Sequence, residues 1–198
     1  VPADPTADPA LPAALPTWDD AARPTTTAYA EVDAAARAHG DHLRLIHDVY
    51  RDGLRRAAEV LGRVADGTAE VGEARSALHD VGLRAAYDQL GSFCGQLCRG
   101  IEVHHRIEDA HLYPALRAAD EAELGAVLDR LVDEHDVVHA LLLHLDEALL
   151  RLARPEAGPG DLAHLRHGFD HLVRLLESHF RYEEEQLGGA LGVHRVPV

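Results

Sequence analysis

The sequence predicts an all-α protein, an antiparallel up-down-up-down four-helix bundle behind a disordered or extended N-terminal tail. Three observations predict it. From about position 28 onward apolar residues recur at three- and four-residue steps with almost no β-branched runs. Proline crowds the start of the chain, from Pro2 to Pro24, and then disappears until Pro114. Glycine and proline then fall between the long periodic segments, leaving connections short enough to set successive helices antiparallel.

Residues 1–27 carry Pro2, Pro5, Pro9, Pro12, Pro16 and Pro24 among Ala, Thr and Asp, a composition with little apolar surface and few backbone donors, and they read as a tail. Its lone tryptophan, Trp18, could dock on the body, but a tail is the expectation. The bundle is expected over 28–190, with a second tail over 191–198. The first helix, about 28–62, shows a stripe of Leu43, Ile46, Tyr50, Leu54, Ala57 and Leu61. Gly62, Asp66, Gly67 and Gly72 mark a linker. A second helical stretch runs from about 73 to 118, with a break expected near Gly82 and a bent or frayed end at Pro114. The third, about 121–154, is closed by Pro155 and the Gly158, Pro159, Gly160 turn; the fourth covers about 161–187, after which Gly188, Gly189 and Gly192 signal a loose end.

Composition removes several function classes. Lys and Arg number 19 against 34 Asp and Glu, all 19 being Arg, so the formal net charge is −15. That charge repels phosphate backbones and anionic headgroups, and no local basic patch offsets it, so neither nucleic acid nor a membrane surface is an expected partner. No stretch approaches the roughly 20 apolar residues of a spanning helix. No leader is apparent, and a cytoplasmic location is the expectation. The two cysteines, Cys94 and Cys98, lie one turn apart and read as small buried thiols. There is no Gly-x-Ser-x-Gly, His-Glu-x-x-His or phosphate-binding glycine loop to suggest a hydrolase or a nucleotide site.

The 15 histidines are the informative residues. Several interrupt the apolar stripes. In the second helix the stripe reads Cys94, Leu97, Ile101, His104, Glu108, His111, Ala115; in the third, Leu128, Leu131, His135, Val138, Leu142, Leu145, Leu149, with His139 one turn from His135; in the fourth, Leu162, Leu165, Phe169, Leu172, Leu176, His179, Glu183, Leu187. His47 lies between Leu43 and Tyr50 in the first. One such histidine is ordinarily a satisfied core residue, and one His–carboxylate pair is as often a helix hydrogen bond as a ligand pair. Recurrence on successive helices is different, because several unpaired charges buried together cost far more than the several kcal/mol of one. Donors at i and i+4 point along one face toward one ion, and imidazole with carboxylate suits iron, with zinc and manganese behind it.

The segments LRLIHDVYRDGL (43–54), HHRIEDAHLYPAL (104–116), DEHDVVHALL (133–142) and SHFRYEEEQL (178–187) together resemble the helices of the hemerythrin-like, or HHE cation-binding, domain. The resemblance covers nearly all of the chain beyond the first 30 residues. It implies a pair of iron ions bridged by oxygen and carboxylates, with His47, His104, Glu108, His135, His139, His179 and Glu183 as ligands and His105 in a position that carries an extra ligand in some members. His42 competes with His47 in the first helix. In oxygen carriers of the family the last carboxylate is an Asp five residues after its His, the slot of Glu184, whereas Glu183 holds the stripe register here.

The resemblance implies a non-haem di-iron protein binding O2 or a related small oxidant such as H2O2 or NO, in oxidative-stress response, with catalase- or peroxidase-like turnover as one form of that chemistry. The alternatives are iron binding for storage or sensing without redox turnover, and a metal-free interaction module.

Overall fold

The computed structural model describes residues 14–72, 97–119, 121–152, 154 and 156–198, with side chains left aside over 68–72. Cys94, the expected break near Gly82 and the first 13 residues lie outside the described residues. From Ala34 onward the described residues are mostly helical, and no strand occurs among the described residues. Helix α1 is Ala34–Gly72. Helix α2 is described from 97: α-helix over 97–107, one π-helical turn at Glu108–Leu112, then α-helix over Tyr113–Arg117. Helices α3 and α4 are Ala122–Leu152 and Pro159–His194. Contacts pairing low numbers with high across each neighbour, such as His47 with Glu184, Tyr50 with Gly100 and Glu134 with His179, make the order up-down-up-down.

The stripes of α3 and α4 are buried as expected. They split the apolar interior into two clusters. One gathers Leu54, Leu61, Ile101, Val138, Leu145, Phe169 and Phe180 at one end; the other gathers Leu43, Leu116, Leu128, Leu131, Leu187 and Leu191 at the opposite end. Between them lies a layer of buried His and Glu.

Four expectations are corrected. Helix α1 does not stop at Gly62 but continues through Gly67 to Gly72. Two helical glycines cost about 1 kcal/mol each, but Leu61, Val64 and Ala65 pack on the core cluster, and that burial decides the conformation. Helix α4 likewise runs through Gly188, Gly189 and Gly192 to His194. Gly189 and Gly192 are there for close approach: a Cβ on Gly192 would lie 1.9 Å from the Ala36 carbonyl oxygen, and one on Gly189 2.4 Å from that of Tyr29. The 191–198 segment is correspondingly no free tail, since Leu191 and Val196 are buried.

Residues 14–33 are largely extended, as expected, with one 3-10 turn at Asp20–Ala22, and they lie on the bundle as a strap. Trp18 and Leu15 pack on the core, Tyr182 donates to the Pro24 carbonyl (2.6 Å), and His171 meets the Pro16 carbonyl (2.9 Å). The anchor is Arg23, whose side chain is 7 % exposed.

The fourth correction concerns Pro114. It does not fray the helix; it starts the α-helical turns after the π turn. Proline has no N–H for the carbonyl four residues back and clashes with it. The widened turn, in which Tyr113 N–H reaches back to the Glu108 carbonyl, absorbs that conflict. It also adds one residue to the turn and slips the buried phase by one: Leu112, Tyr113 and Leu116 are buried, while His111 and Ala115, the expected stripe positions, are exposed.

Candidate metal centre

Among the described residues eight polar or charged ones are buried, and all stand in the layer between the two apolar clusters: His47, His104, His105, Glu108, Glu134, His135, His179 and Glu183. Ligand atoms of His47, His104, Glu108 and Glu183 lie within 4.8 Å of one another, and so do those of His105, His135 and His179. His47 Nε2 is 3.1 Å from His104 Nε2, and His135 Nε2 is 3.2 Å from His179 Nε2. Glu108 spans the two groups, with Oε1 3.0 Å from His104 Nε2 and Oε2 3.6 Å from His135 Nε2.

Carboxylates behind the rings set these orientations. Glu184 accepts from His47 Nδ1 (2.8 Å), Asp109 from His135 Nδ1 (3.0 Å) and Glu134 from His179 Nδ1 (3.1 Å). An ionised carboxylate only accepts, so each Nδ1 carries the proton and each Nε2 turns inward. Glu134 is fixed by Arg23 through Nε (2.7 Å) and Nη2 (2.8 Å) and by Arg130 Nε (2.9 Å). Burial alone would raise the Glu134 carboxyl, but the bonds from His179 and Arg23 outweigh it and hold the pKa at about 2.

The tyrosine brought inward by the π turn completes the layer. Tyr113 OH donates to Glu183 Oε1 (2.8 Å) and stands 3.3 Å from His135 Nε2.

The protein atoms leave this layer electrostatically incomplete. His105 Nε2, both oxygens of Glu108 and Oε2 of Glu183 are buried without a hydrogen-bond partner. Burial drives the His104 pKa to about 3, and burial with repulsion from the other imidazoles holds His105 well below its usual range. Burial and the Glu183 charge push the Glu108 carboxyl well up, whereas Glu183, despite burial, is held low by His47. His47 itself is raised: burial opposes its charge, but Glu183 and Glu184 outweigh burial. Imidazole lone pairs and partnerless carboxylate oxygens converging in one buried layer are donors for a cation, so the residues present fit a metal.

Of the sequence candidates, the structure brings together His47, His104, His105, Glu108, His135, His179 and Glu183. His139 stands apart: it is exposed and belongs to neither group. Four residues advance a helix by about 40° beyond a full turn, and Val138 takes the inward position instead. His42 is exposed while His47 is fully buried. Glu183 and Glu184 both meet His47, at Nε2 (3.2 Å) and Nδ1 (2.8 Å) respectively. Sequence reasoning missed Glu134, Asp109, Arg23 and the site role of Tyr113.

A model of the hemerythrin HHE cation binding domain matches residues 37–191. No curated protein and no solved structure matches the chain.

Proposed function

Because this chain belongs to the hemerythrin HHE cation-binding domain family, we propose that its polar layer holds two iron ions and binds O2 or a related small oxidant, H2O2 or NO. Metal binding itself is supported by the family and by the two His/Glu groups together. In this reading His47, His104 and Glu183 serve one ion, His105, His135 and His179 the other, and Glu108 spans both. The observation that carries it is the set of buried, partnerless donor atoms converging in two adjacent groups.

Bound iron would supply the electrons for reversible binding or reduction of the oxidant. The chain supplies the rest. Glu184, Asp109 and Glu134 hold three rings with Nε2 inward and strengthen them as donors. A shell of five imidazoles and two carboxylates is less negative than an all-carboxylate one and favours reversible binding over full oxygen activation. Tyr113 keeps an O–H at Glu183 Oε1, the one hydroxyl donor pointed at the layer among the described residues. A cavity of about 240 Å³ between α1 and α2, walled by Ile46, Val103, Ile107 and Leu112, reaches His104 and Glu108. Its apolar wall admits a small neutral molecule and disfavours water.

Anaerobic loading with ferrous iron, elemental analysis and exposure to O2, H2O2 and NO test the reading. About two irons per chain, one for each donor group, and a new optical band with at least one oxidant are expected. Fewer than one metal per chain would refute it. Full loading with no spectral response to any of the three would leave storage or sensing without turnover.

A further inference from the structure

A second opening reaches the same layer from the other side and has the opposite character. It is a cleft of about 190 Å³ between α2 and α3, lined by Glu102, His105, Asp109, His135, Asp136 and His139. Its wall includes His105 and His135, which stack in parallel 4.0 Å apart. His105 is 5 % exposed, and its Nε2 is buried and without a partner.

The rim groups are not equivalent. Glu102 is occupied by Arg106, and Asp109 by His135 Nδ1. Asp136 and His139, three residues apart on α3 and both exposed, have no hydrogen bond or ion pair among the described residues. A free carboxylate and a free imidazole thus stand outside, and a partnerless buried imidazole stands inside the same cleft. The cavity on the opposite side is walled mainly by Ile46, Val103, Ile107 and Leu112; it has an exposed imidazole in His111 but no exposed acidic side chain beside it, so it lacks the carboxylate–imidazole pair that would replace the lost water ligands of a hydrated cation.

We propose that this cleft is the loading port of the metal centre: Asp136 and His139 capture a hydrated divalent transition-metal ion, strip part of its water, and pass it to His105 and His135. The inference rests on the reading of the polar layer as a metal centre. It assigns His139 a role in the rate of filling rather than in the filled site.

The only tryptophan supplies the readout. Trp18 lies with its ring centroid 6.4 Å from that of His179, close enough for its fluorescence to be quenched by a paramagnetic ion in the layer. Stopped-flow mixing of the metal-free protein with Co2+ gives the filling rate, and titration gives stoichiometry. The variants are His139→Ala, Asp136→Asn and their combination, with Ile107→Ala in the apolar cavity as control.

The double variant is expected to fill about tenfold more slowly, with a weaker dependence on ionic strength, while Co2+ stoichiometry and visible spectrum stay those of the parent. Filling within about twofold of the parent rate, on a scale where charged clefts change on-rates by about tenfold or more, overturns the port. Faster filling in Ile107→Ala, which widens the apolar cavity, with the double variant at the parent rate overturns it in favour of the apolar side. Reduced stoichiometry in His139→Ala overturns it by making His139 a permanent ligand. If the parent itself binds no Co2+, the metal-centre reading fails and the port with it, a result distinct from all three.

Discussion

Arg23→Gln isolates the contribution of the N-terminal strap. Glu134 is 1 % exposed and accepts from Arg23 twice, from Arg130 and from His179. Removing one partner of a buried charge pair costs about 3–5 kcal/mol because the other charge is stranded. Here Arg130 still reaches Glu134 Oε1, at 2.9 Å. The substitution also removes the guanidinium from the faces of Tyr182 (4.6 Å) and Trp18 (5.5 Å). With one arginine left on the carboxylate, the expected loss is about 2–3 kcal/mol. At about 2–4 °C per kcal/mol for a chain of this size, Tm falls by about 5–10 °C. The assay is urea and thermal unfolding followed by circular dichroism with chelator present, so that metal binding does not mask the change. A double-mutant cycle with Glu134→Gln should return a coupling of about 1–3 kcal/mol. A loss below about 0.5 kcal/mol, the level of an ordinary surface substitution, or an additive cycle would show that the strap lies on the bundle without securing it.

Three further outcomes are expected. Because burial holds the His104 pKa near 3 against an ordinary 6.5, and lowers His105 and His179 as well, the unfolded chain takes up protons that the fold refuses. Stability of the metal-free protein should therefore be present above pH 6.5 and fall on acidification toward 3, by about 1.4 kcal/mol per pH unit for each such histidine. The raised His47 and the raised Glu108 carboxyl act in the opposite sense and offset part of the loss from the three lowered histidines; a urea midpoint that is flat or rises from pH 7 to 5 would contradict this. Gly40→Ala should cost about 2 kcal/mol or more, since its Cβ would stand 2.0 Å from the Gly188 carbonyl oxygen, whereas Gly188→Ala, Gly62→Ala and Gly67→Ala meet nothing within 4 Å and should each stabilise by about 0.5–1 kcal/mol. Equal effects in denaturant melts would refute the close approach and the continuous α1. Tyr113→Phe deprives buried Glu183 of its hydroxyl donor and should cost about 1.5–3 kcal/mol with chelator present. It should also shorten the lifetime of bound Co2+ against a chelator; an unchanged lifetime would remove Tyr113 from the centre.

Periodicity made α3 and α4 legible, because each buries one uninterrupted stripe against its neighbours, and the histidines that broke those stripes were legible for the same reason. Reading failed where geometry departs from a uniform turn. On α2 the extra residue at Glu108–Leu112 replaced His111 with Leu112 and Tyr113, and its cause, Pro114, had been read only as a helix end. His105 was visible only through the resemblance, since α2 is buried on a face wide enough for both His104 and His105. Glu134 carried no sequence signal, because its partner Arg23 lies 111 residues away in a segment whose composition suggested no structure. Glycines misled at the C-terminal ends of α1 and α4: at Gly62 and Gly67 packing overrode propensity, and at Gly189 and Gly192 the missing side chain was the structural requirement.

The seam in which Gly40 meets the Gly188 carbonyl and Gly192 meets the Ala36 carbonyl fixes a length as well as permitting a contact. Gly40 precedes His47 by two turns, about 10 Å along the axis, and Gly188 follows Glu184 by little more than one turn. Where α1 and α4 touch backbone to backbone, no rotamer and no methyl group intervenes, so the gap there cannot drift as side chains elsewhere are exchanged. The separation of His47 from Glu183 and Glu184 is thereby gauged by main-chain atoms alone. Chains that share this seam can vary their apolar clusters freely and still present those three groups at the same spacing.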